Sequence, residues 1–375
     1  MKTEAAVLYE MGAAASFARS QPLRIEEVDL AAPGPGEVLV EVAAAGLCHS
    51  DLSVIDGTRP RVMPMVMGHE AAGVVRELGP GTTGFNVGDH VVFAFVPACG
   101  HRLPCGTGWA ALCENGARAN SAGTLLSGNT RFTNARGERL HHHLGVSAFS
   151  RHSVAAAESL VRIPDDLPLH IAALFGCAVM TGEGAVLNTA RVEAGTAVAV
   201  YGLGGVGLAV VIGARAAGAG PIVAVDVVAS KLELAVRCGA TDVVDAARVD
   251  PVATVREITR GGADTAIECA GIERVIVQAY EATRRGGTTV TVGLPHPARQ
   301  FSVPAVTLVT EARTVKGSYM GSAVPRRDIP RYVAMHQGGR LPVDLLFTDT
   351  VALGDINEAF DRLARGEAVR QIIRF

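Results

Sequence analysis

The sequence predicts an α/β protein of two domains, one β-rich and the other built on a doubly wound parallel sheet. Its 375 residues are too many for one ordinary hydrophobic core. The opening part alternates apolar and polar side chains between turn residues, as half-buried strands do. From about residue 185, short apolar strands alternate with helical stretches, which is the pattern of parallel strands connected by helices.

Strands are predicted in the β-rich part over residues 36–42 and 70–78. Prolines and glycines lie before the first strand and after the second, so both are bounded by turns. Residues 98–150 show no clear period and are rich in Gly, Asn, Thr and Arg. We interpret them as a long loop, and such a loop in a compact protein is usually functional or lies at an interface.

The second part predicts the parallel sheet through its alternation of apolar strands and helices. Its helical stretches carry apolar residues at three- and four-residue spacing. The segment from about residue 319 is irregular at first and then predicts one helix and one strand. The predicted strands are 196–202, 221–226, 263–271, 288–294 and 371–375, and the predicted helices are 206–218, 229–238 and 355–366.

Composition and charge exclude several classes of protein. The chain is 49% hydrophobic and 19% charged with a formal net charge of -3, which is typical of a globular protein with a sizeable core. Lysine and arginine are scattered singly, so no basic stripe predicts a nucleic-acid partner. The N-terminal stretch lacks the apolar run of a signal peptide, and no later run approaches the roughly 18 apolar residues of a membrane span. We therefore expect a cytoplasmic protein without a membrane partner.

A glycine-rich turn predicts a dinucleotide site. Gly202, Gly204 and Gly207 form G-x-G-x-x-G between a predicted strand and a predicted helix, where the backbone approaches a pyrophosphate closely. Asp226 closes the next strand and is placed to accept hydrogen bonds from the adenosine ribose. Its negative charge would repel a 2′-phosphate, so NAD is expected rather than NADP. Lys231 is a further candidate for the ribose.

Three metal-ligating side chains predict a zinc site. Seven cysteines in a chain without an export signal favour metal or catalytic roles over disulfides. Cys48, His69 and Cys177 offer two thiolates and an imidazole, and three protein ligands are typical of a catalytic zinc. Asp51 and Glu70 flank these residues, and carboxylates commonly orient a zinc-bound imidazole.

These motifs, in this order, resemble the zinc-containing medium-chain alcohol dehydrogenases over essentially the whole chain. The segment from Thr130 to Ile163 is similar to the class I and class III enzymes. The resemblance implies a β-rich GroES-like catalytic domain and a Rossmann NAD-binding domain. The implied bounds are 1–180 with 319–375 for the discontinuous catalytic zinc domain, and 181–318 for the NAD-binding domain.

The resemblance also implies roles for particular residues. It assigns the catalytic zinc to Cys48, His69 and Cys177, with Asp51 behind them and Glu70 beside the metal. Ser50 would take the alcohol proton. The expected cofactor contacts are His49 and Arg370 at the pyrophosphate, with Gly202, Gly204, Gly205, Val206, Gly207, Asp226, Lys231 and Val292 elsewhere; the expected substrate-pocket residues are Phe95, His143 and Leu144.

Two departures from the family pattern change the expectations. Many relatives hold a second zinc with four cysteines, whereas this chain offers Cys99, Cys105 and Cys113 with Arg102 in the remaining ligand position. Arginine stays protonated and cannot ligate a metal, so we expect one zinc per chain, although the neighbouring His101 is a conceivable substitute. Ser53 stands where class I relatives have the histidine that ends the proton path, so the proton is expected to leave through water or His49.

The resemblance implies reversible, NAD-linked oxidation of primary or aromatic alcohols to aldehydes. Zinc would lower the pKa of the alcohol, Ser50 would pass the proton outward, and hydride would move to C4 of the nicotinamide. One alternative is a formaldehyde dehydrogenase acting on a glutathione- or mycothiol-type adduct, with Arg118 as the candidate anion ligand. Another alternative is a non-catalytic nucleotide-binding relative. Analogy with dimeric relatives predicts a homodimer.

Overall fold

The computed structural model describes all residues from 1 to 375, and the chain forms two compact units. The first unit comprises residues 1–177, 324–333 and 347–375, and the second comprises residues 178–323 and 334–346. The division differs from the sequence-derived bounds at 178–180, 319–323 and 334–346, which pack with the second unit. Residues 178–180 belong to the second unit because the helix that begins at Ala178 packs against the helix that follows the glycine-rich turn.

The first segment of unit 1 contains ten strands and five helices. The short spans and frequent breaks reflect the many turn residues of this part of the chain. In order they are β1 (Lys2–Leu8), α1 (Phe17–Ser20), β2 (Leu23–Leu30), β3 (Glu37–Gly46), α2 (His49–Ile55), β4 (Met65–Val66), β5 (Glu70–Leu78), β6 (His90–Phe93), α3 (Leu103–Gly106), α4 (Glu114–Ala122), β7 (Phe132–Thr133), β8 (Arg139–His142), β9 (His152–Ala156), β10 (Leu160–Arg162) and α5 (Leu169–Ala172).

Unit 2 supplies the predicted alternation of strands and helices. Its elements are α6 (Ala178–Gly184), β11 (Val198–Tyr201), α7 (Gly205–Ala216), β12 (Ile222–Asp226), α8 (Ala229–Cys238), β13 (Asp242–Asp245), α9 (Pro251–Ile258), β14 (Ala263–Glu268), α10 (Glu273–Ala282), β15 (Thr283–Thr291), α11 (Ala305–Thr310) and β16 (Thr314–Gly317). The chain then continues through α12 (Pro325–Gln337), β17 (Phe347–Val351), α13 (Ile356–Ala364) and β18 (Arg370–Arg374).

Two β structures make up unit 1. Strands β1, β2, β7, β8 and β4 close into a barrel, whose interior is filled by buried side chains such as Val7, Val28 and Leu140. The second is a sheet in the order β10-β6-β5-β3-β18-β17, with β9 also paired to β3. Strand β18 pairs antiparallel with β3, so a late segment of the chain lies beside the strand that leads to Cys48.

Residues 98–150 are more ordered than the predicted loop. They contain α3, α4, β7 and β8, and the last two strands belong to the closed barrel. The prediction of a structureless loop was therefore wrong. The two helices are four and nine residues long, and the two strands are two and four residues long. Such elements are too short to establish a hydrophobic period.

Unit 2 confirms the doubly wound parallel sheet. Its six strands are parallel and run in the order β13-β12-β11-β14-β15-β16. The first strand of the unit, β11, is central and buried on both faces, which explains its continuous apolar sequence. The strand order reverses beside β11, and ligands of such sheets bind at the carboxyl ends of strands at this point.

No single helix in the chain is long and apolar enough to cross a membrane. One bent pair, 169–176 with 178–190, reaches the required length and apolarity only when its two helices are taken together.

Candidate active site

Helix α2 begins directly after Cys48, and its first turn carries the carboxylate around which the candidate site is built. Asp51 is fully buried, and its Oδ2 accepts the backbone N–H of Cys48 at 3.2 Å. This contact caps the helix, because Cys48 precedes its first turn and Asp51 is the third helical residue. The start of the helix therefore fixes the Cys48 backbone and the Asp51 carboxylate together.

Asp51 also orients two buried histidines from other parts of unit 1. His69 directly precedes β5, and its Nδ1 lies 2.9 Å from Asp51 Oδ1. His143 Nδ1 lies 3.1 Å from the same oxygen. Because Asp51 occupies the Nδ1 side of the His69 ring, Nε2 is the nitrogen that remains for a metal.

Cys48, His69 and Cys177 form a buried group whose ligand atoms all lie within 4.8 Å of one another. Two thiolates and one imidazole suit Zn²⁺, and three protein ligands leave a fourth position for a reacting oxygen. Asp51, His69 and His143 satisfy the same distance limit. Their hydrogen-bond-length contacts already explain why these three lie together, so the donor chemistry favours the thiolate-containing group as the zinc site.

Burial and neighbouring charges determine where the protons of this group reside. The hydrogen bond from Cys177 lowers the pKa of the Cys48 thiol well below its usual range, and Arg370 and His69 act in the same direction. The same hydrogen bond, together with burial, raises the pKa of Cys177. Burial opposes protonation of His69, but the Asp51 carboxylate outweighs it and raises the pKa of His69 to about 10. A metal would displace the remaining protons, so metal affinity should rise with pH.

Arg370 and Glu70 place a buried ion pair beside the thiols. Arg370 lies on β18, with Nη2 3.6 Å from Cys48 Sγ and Nε 3.2 Å from Glu70 Oε1. A Cβ at Gly46 of β3 would lie 2.5 Å from Glu70 Oε1, so a larger residue there would displace this carboxylate. The guanidinium thus offsets negative charge from both the thiolate and the carboxylate.

The residues expected to line the substrate pocket surround His69. The Phe95 ring meets the His69 ring edge to face, with centroids 5.5 Å apart, and the His143 ring meets it at the same separation. Leu144 follows His143 and is buried. The structure therefore brings Phe95 and His143 next to His69, one of the candidate zinc ligands. The expected role of Leu144 rests on its position next to His143.

The expected proton path begins on the first turn of α2. Ser50 is half-buried and His49 is exposed on this turn. Ser53 Oγ donates a hydrogen bond to the His49 carbonyl at 2.9 Å, so this hydroxyl is engaged by the helix backbone. The roles of Ser50 and His49 in proton transfer, and the contact of His49 and Arg370 with a pyrophosphate, remain predictions.

The turn between β11 and α7 has the shape that a dinucleotide requires. A Cβ at Gly207 would lie 1.9 Å from the Gly202 carbonyl oxygen, so only glycine allows the turn to close. Gly204 is exposed, and a Cβ there would meet no atom within 4 Å, which leaves room for a ligand. Gly205 opens the twelve-residue helix α7, whose free N–H groups attract an anion. Val206 follows in the same turn.

Other expected cofactor residues lie at the carboxyl ends of the neighbouring strands. Asp226 ends β12, and its carboxylate accepts backbone N–H groups from Leu203 at 2.6 Å and Val227 at 2.8 Å. These bonds hold the carboxylate at the glycine-rich turn. Val292 directly follows β15, and Lys231 is half-buried on α8. Their contacts with NAD remain predictions.

A second group of thiols is formed by three cysteines that are not candidate ligands of the catalytic zinc. The sulfur atoms of Cys99, Cys105 and Cys113 all lie within 4.8 Å of one another. Arg102, in the remaining ligand position of the family pattern, is exposed and immediately precedes α3. Three thiols do not close a tetrahedral structural site, so the expectation of one zinc per chain stays a prediction that elemental analysis must test.

One buried group in unit 2 was missed by the sequence interpretation. Glu183 on α6 is fully buried, and neither of its carboxylate oxygens has a hydrogen-bond partner. Burial raises the pKa of Glu183 well above its usual value. Its signal was present in the sequence, because this acid is the single charged residue in the stretch from 178 to 187.

Comparisons with known proteins agree with this architecture. Residues 34–165 match the family "Alcohol dehydrogenase GroES-like domain", and residues 205–337 match "Zinc-binding dehydrogenase". The chain is 40% identical over 367 residues to an S-(hydroxymethyl)glutathione dehydrogenase of Escherichia coli, covering 97% of this chain and 99% of the relative. It is 38% identical over 369 residues to an alcohol dehydrogenase class-3 of Drosophila melanogaster, covering 97% of both chains.

Two solved structures have the same fold over the full length of this chain. An alcohol dehydrogenase zinc-binding domain protein from Burkholderia ambifaria has a TM-score of 0.94 at 37% identity, and 99% of that chain is covered. Benzyl alcohol dehydrogenase from Acinetobacter calcoaceticus has a TM-score of 0.93 at 32% identity, again with 99% covered.

The fold, the zinc-ligand group and the glycine-rich turn define a zinc-dependent oxidoreductase that uses a nicotinamide cofactor. Within that class, the chain belongs to the zinc-dependent medium-chain alcohol dehydrogenase family. The family is NAD-dependent, and its substrates are alcohols and aldehydes.

Proposed function

We propose that this enzyme oxidises the hydroxymethyl group of a low-molecular-weight thiol adduct, of the glutathione or mycothiol type, with NAD as hydride acceptor. The observation that carries the chemistry is the buried group of Cys48, His69 and Cys177 with Asp51 behind it. The substrate class is supported by the E. coli relative, which is an S-(hydroxymethyl)glutathione dehydrogenase at 40% identity.

The residues of the chain would divide the reaction as follows. When bound, zinc supplies Lewis-acid polarisation of the alcohol oxygen, and NAD supplies the hydride acceptor. Asp51 holds the His69 ring in one tautomer, and Arg370 offsets the negative charge of Cys48. Ser50 receives the hydroxyl proton of the substrate and passes it to solvent or His49. Phe95 shields the reacting group from water on the side of His69.

A nearby cation supports an anionic substrate. Arg61 lies in the segment between α2 and β4, and its positive charge contributes to lowering the pKa of His143 together with burial, the largest cause. This effect on His143 supports a position of the Arg61 guanidinium near one wall of the expected pocket. A glutathione adduct carries two carboxylates, and a guanidinium binds a carboxylate with two parallel hydrogen bonds, whereas a mycothiol adduct carries none.

Simple primary or benzylic alcohols are the second candidate substrates. The apolar side chains of Phe95 and Leu144 suit an aromatic or aliphatic group, and the similarity to benzyl alcohol dehydrogenase points the same way. Such substrates need no cation, so the two candidates differ in their dependence on Arg61.

The deciding experiment compares kcat/KM for S-hydroxymethyl-glutathione, S-hydroxymethyl-mycothiol and benzyl alcohol in the wild type, Arg61→Leu and Arg61→Lys. We expect one adduct to be the best substrate. Arg61→Leu should lower kcat/KM for the glutathione adduct by about 10- to 100-fold, as loss of a charge-assisted hydrogen bond does. Turnover of benzyl alcohol should change by less than about threefold, because a neutral alcohol makes no ion pair with this side chain.

Arg118→Leu is the matched control for a cation on α4. An effect confined to Arg118→Leu would move the anion contact to that helix, and equal losses with benzyl alcohol would indicate a general structural defect. If benzyl alcohol is the best substrate in the wild type and neither adduct is turned over, the adduct proposal fails and the second candidate stands.

A further inference from the structure

We infer that Cys99 is an oxidation site that reacts with hydroperoxides and closes a disulfide with Cys113, and that this bond alters the substrate pocket through Phe95. The disulfide itself would form whatever alcohol the enzyme uses. Only its kinetic effect depends on the proposed function, through the choice of substrate.

The three thiols of this lobe are assembled without the fourth ligand of a closed metal site. The sulfur atoms of Cys99, Cys105 and Cys113 lie within 4.8 Å of one another, and Arg102 is exposed and cannot ligate a metal. Thiols this close that lack a closed metal site are suited to oxidation.

Cys99 and Cys113 are the most directly connected pair. The backbone N–H of Cys99 donates to Cys113 Sγ at 3.4 Å, and Cys113 Sγ also accepts the N–H of Gly116 at the same distance. Asn115 Nδ2 lies 3.6 Å from Cys99 Sγ. These contacts hold both sulfur atoms beside the start of α4.

The surroundings of Cys99 favour the reactive thiolate. Burial raises the pKa of its thiol, but N–H groups of His101 and Arg102 and the thiol of Cys113 outweigh this and lower the pKa to about 7. Burial and the neighbouring thiols raise the pKa of Cys105 to about 11. Near neutral pH, Cys99 therefore has far more of the nucleophilic form than Cys105.

A cavity gives a small oxidant a route to Cys99. Its volume is about 440 Å³, and its lining includes Cys99, Asn115, Arg118 and Glu158. By contrast, Cys48 and Cys177 do not line this cavity and are proposed to bind zinc, which protects thiolates from oxidation.

The hydroperoxide is the oxidant that converts the two thiols into a disulfide. The Cys99 thiolate attacks one oxygen of ROOH, the O–O bond breaks, and Cys99 sulfenic acid and RO⁻ form; a proton from water then gives ROH. The Cys113 sulfur attacks the sulfenic sulfur, the S–O bond breaks, and the products are the disulfide and water. Two electrons pass from the two thiols to one hydroperoxide.

The lobe is connected to the catalytic site through α4. Asn120 on this helix donates from Nδ2 to the Phe95 carbonyl at 2.7 Å. A Cβ at Gly116 would lie 2.4 Å from the Pro97 carbonyl oxygen, so the helix packs directly on the segment between Phe95 and Cys99. A disulfide needs its sulfur atoms about 2 Å apart, so closing it would shift this segment and the Phe95 ring.

The test treats the reduced, zinc-loaded enzyme with a small excess of hydrogen peroxide and maps its thiols by differential alkylation and mass spectrometry. We expect a Cys99–Cys113 disulfide in the wild type and in Cys105→Ser, and its absence in Cys99→Ser. The KM for the best alcohol should change by about fivefold or more, the lower range of coupling between two sites, and return after reduction with dithiothreitol.

The zinc content, measured before oxidation, separates this inference from its rivals. Two zinc ions per chain with Cys99 unreactive would overturn it, because the lobe would then be a metal site. Oxidation confined to Cys48 and Cys177 would also overturn it. A disulfide without any change in KM would refute the connection to Phe95. The wild-type thiol map is decisive even if a cysteine variant fails to fold, and an inactive enzyme that still forms the disulfide would refute the proposed function alone.

Discussion

Asp51 and Glu183 are both fully buried carboxyl groups, yet the pKa of Asp51 is lowered and that of Glu183 is raised. Burial alone would raise the pKa of Asp51, but the two histidines around it outweigh burial and lower that pKa. Glu183 has no hydrogen-bond partner, and burial raises its pKa well above the usual value. The comparison teaches that the partners of a buried acid, rather than its depth, decide whether it is ionised.

The two buried acids also differ in their contacts within their own units. In unit 1, Asp51 connects the Cys48 backbone, His69 and His143, so its charge orients a metal ligand. In unit 2, Glu183 lies against α7, where a Cβ on Gly213 would come within 2.6 Å of its Oε2. Its carboxyl group is therefore expected to cost stability without serving the site.

The largest expected effect comes from removing the metal that Asp51 is proposed to serve. Cys177→Ala should lower kcat by roughly a thousandfold or more, since a metal contributes several kcal/mol of charge stabilisation. NAD binding, measured by calorimetry, should stay within about twofold because the glycine-rich turn belongs to unit 2. Cys105→Ala is the matched control and should keep most of the activity. Loss of NAD binding in folded Cys177→Ala would contradict the separation of roles.

A smaller loss is expected when the charge of Asp51 is removed but its shape is kept. Asp51→Asn should lower zinc affinity or kcat about 10- to 100-fold, as changes behind a zinc-bound histidine commonly do. Zinc affinity is measured by competition with a chelator, and Asp56→Asn, at the exposed C-terminal end of the same helix, serves as the control. Unchanged zinc affinity and unchanged kcat would show that the carboxylate charge has no part in orienting His69.

Glu183→Gln tests the other half of the comparison through stability. The folded-state pKa of Glu183 is raised, so the folded state binds more protons than the unfolded state above the ordinary glutamate pKa. Stability therefore falls as pH rises through this window, by up to about 1.4 kcal/mol per pH unit. Glu183→Gln should remove that contribution, making the midpoint of urea unfolding less dependent on pH between pH 5 and pH 8.

The exposed Glu193→Gln in the same unit is the control for Glu183→Gln and should keep the pH dependence of the wild type. Identical pH profiles for the wild type and Glu183→Gln would mean that the carboxyl group is already paired or hydrated in solution.

The smallest expected effect concerns the release of the substrate proton, which neither Asp51 nor Glu183 is expected to carry. Ser53→His would place an imidazole on α2 in the position where class I relatives have one. We expect kcat to change by only about two- to fivefold and the pH–rate profile to gain an ionisation near about pH 6.5, the ordinary histidine value. The profile is measured from pH 5 to pH 10, with Ser53→Ala as the control. An unaltered profile would count against the proposed exit of the proton through water or His49.

The sequence predicted the parallel sheet because its central strand β11 is buried on both faces and its turn requires glycine at Gly207. The zinc ligands were also recognisable, since Cys48, His69 and Cys177 appear within family motifs. The contact of Arg370 with the Cys48 thiol was not predictable from spacing, because it depends on β18 pairing with β3. The two-residue strand β7 and the short helix α3 were missed because neither is long enough to show a period.

The pairing of β18 with β3 has a consequence for how the protein folds. Arg370 and Cys48 are 322 positions apart, and all of unit 2 lies between them in the chain. During synthesis, residues 178–323 emerge before the strand that brings Arg370 to the thiol, so unit 2 can form its sheet first. Closing so long a loop is slow, and we expect the metal site to mature after the nucleotide-binding sheet. A nascent chain halted before β18 would therefore carry all three proposed ligands, Cys48, His69 and Cys177, without the cation that offsets the negative charge of the Cys48 thiolate.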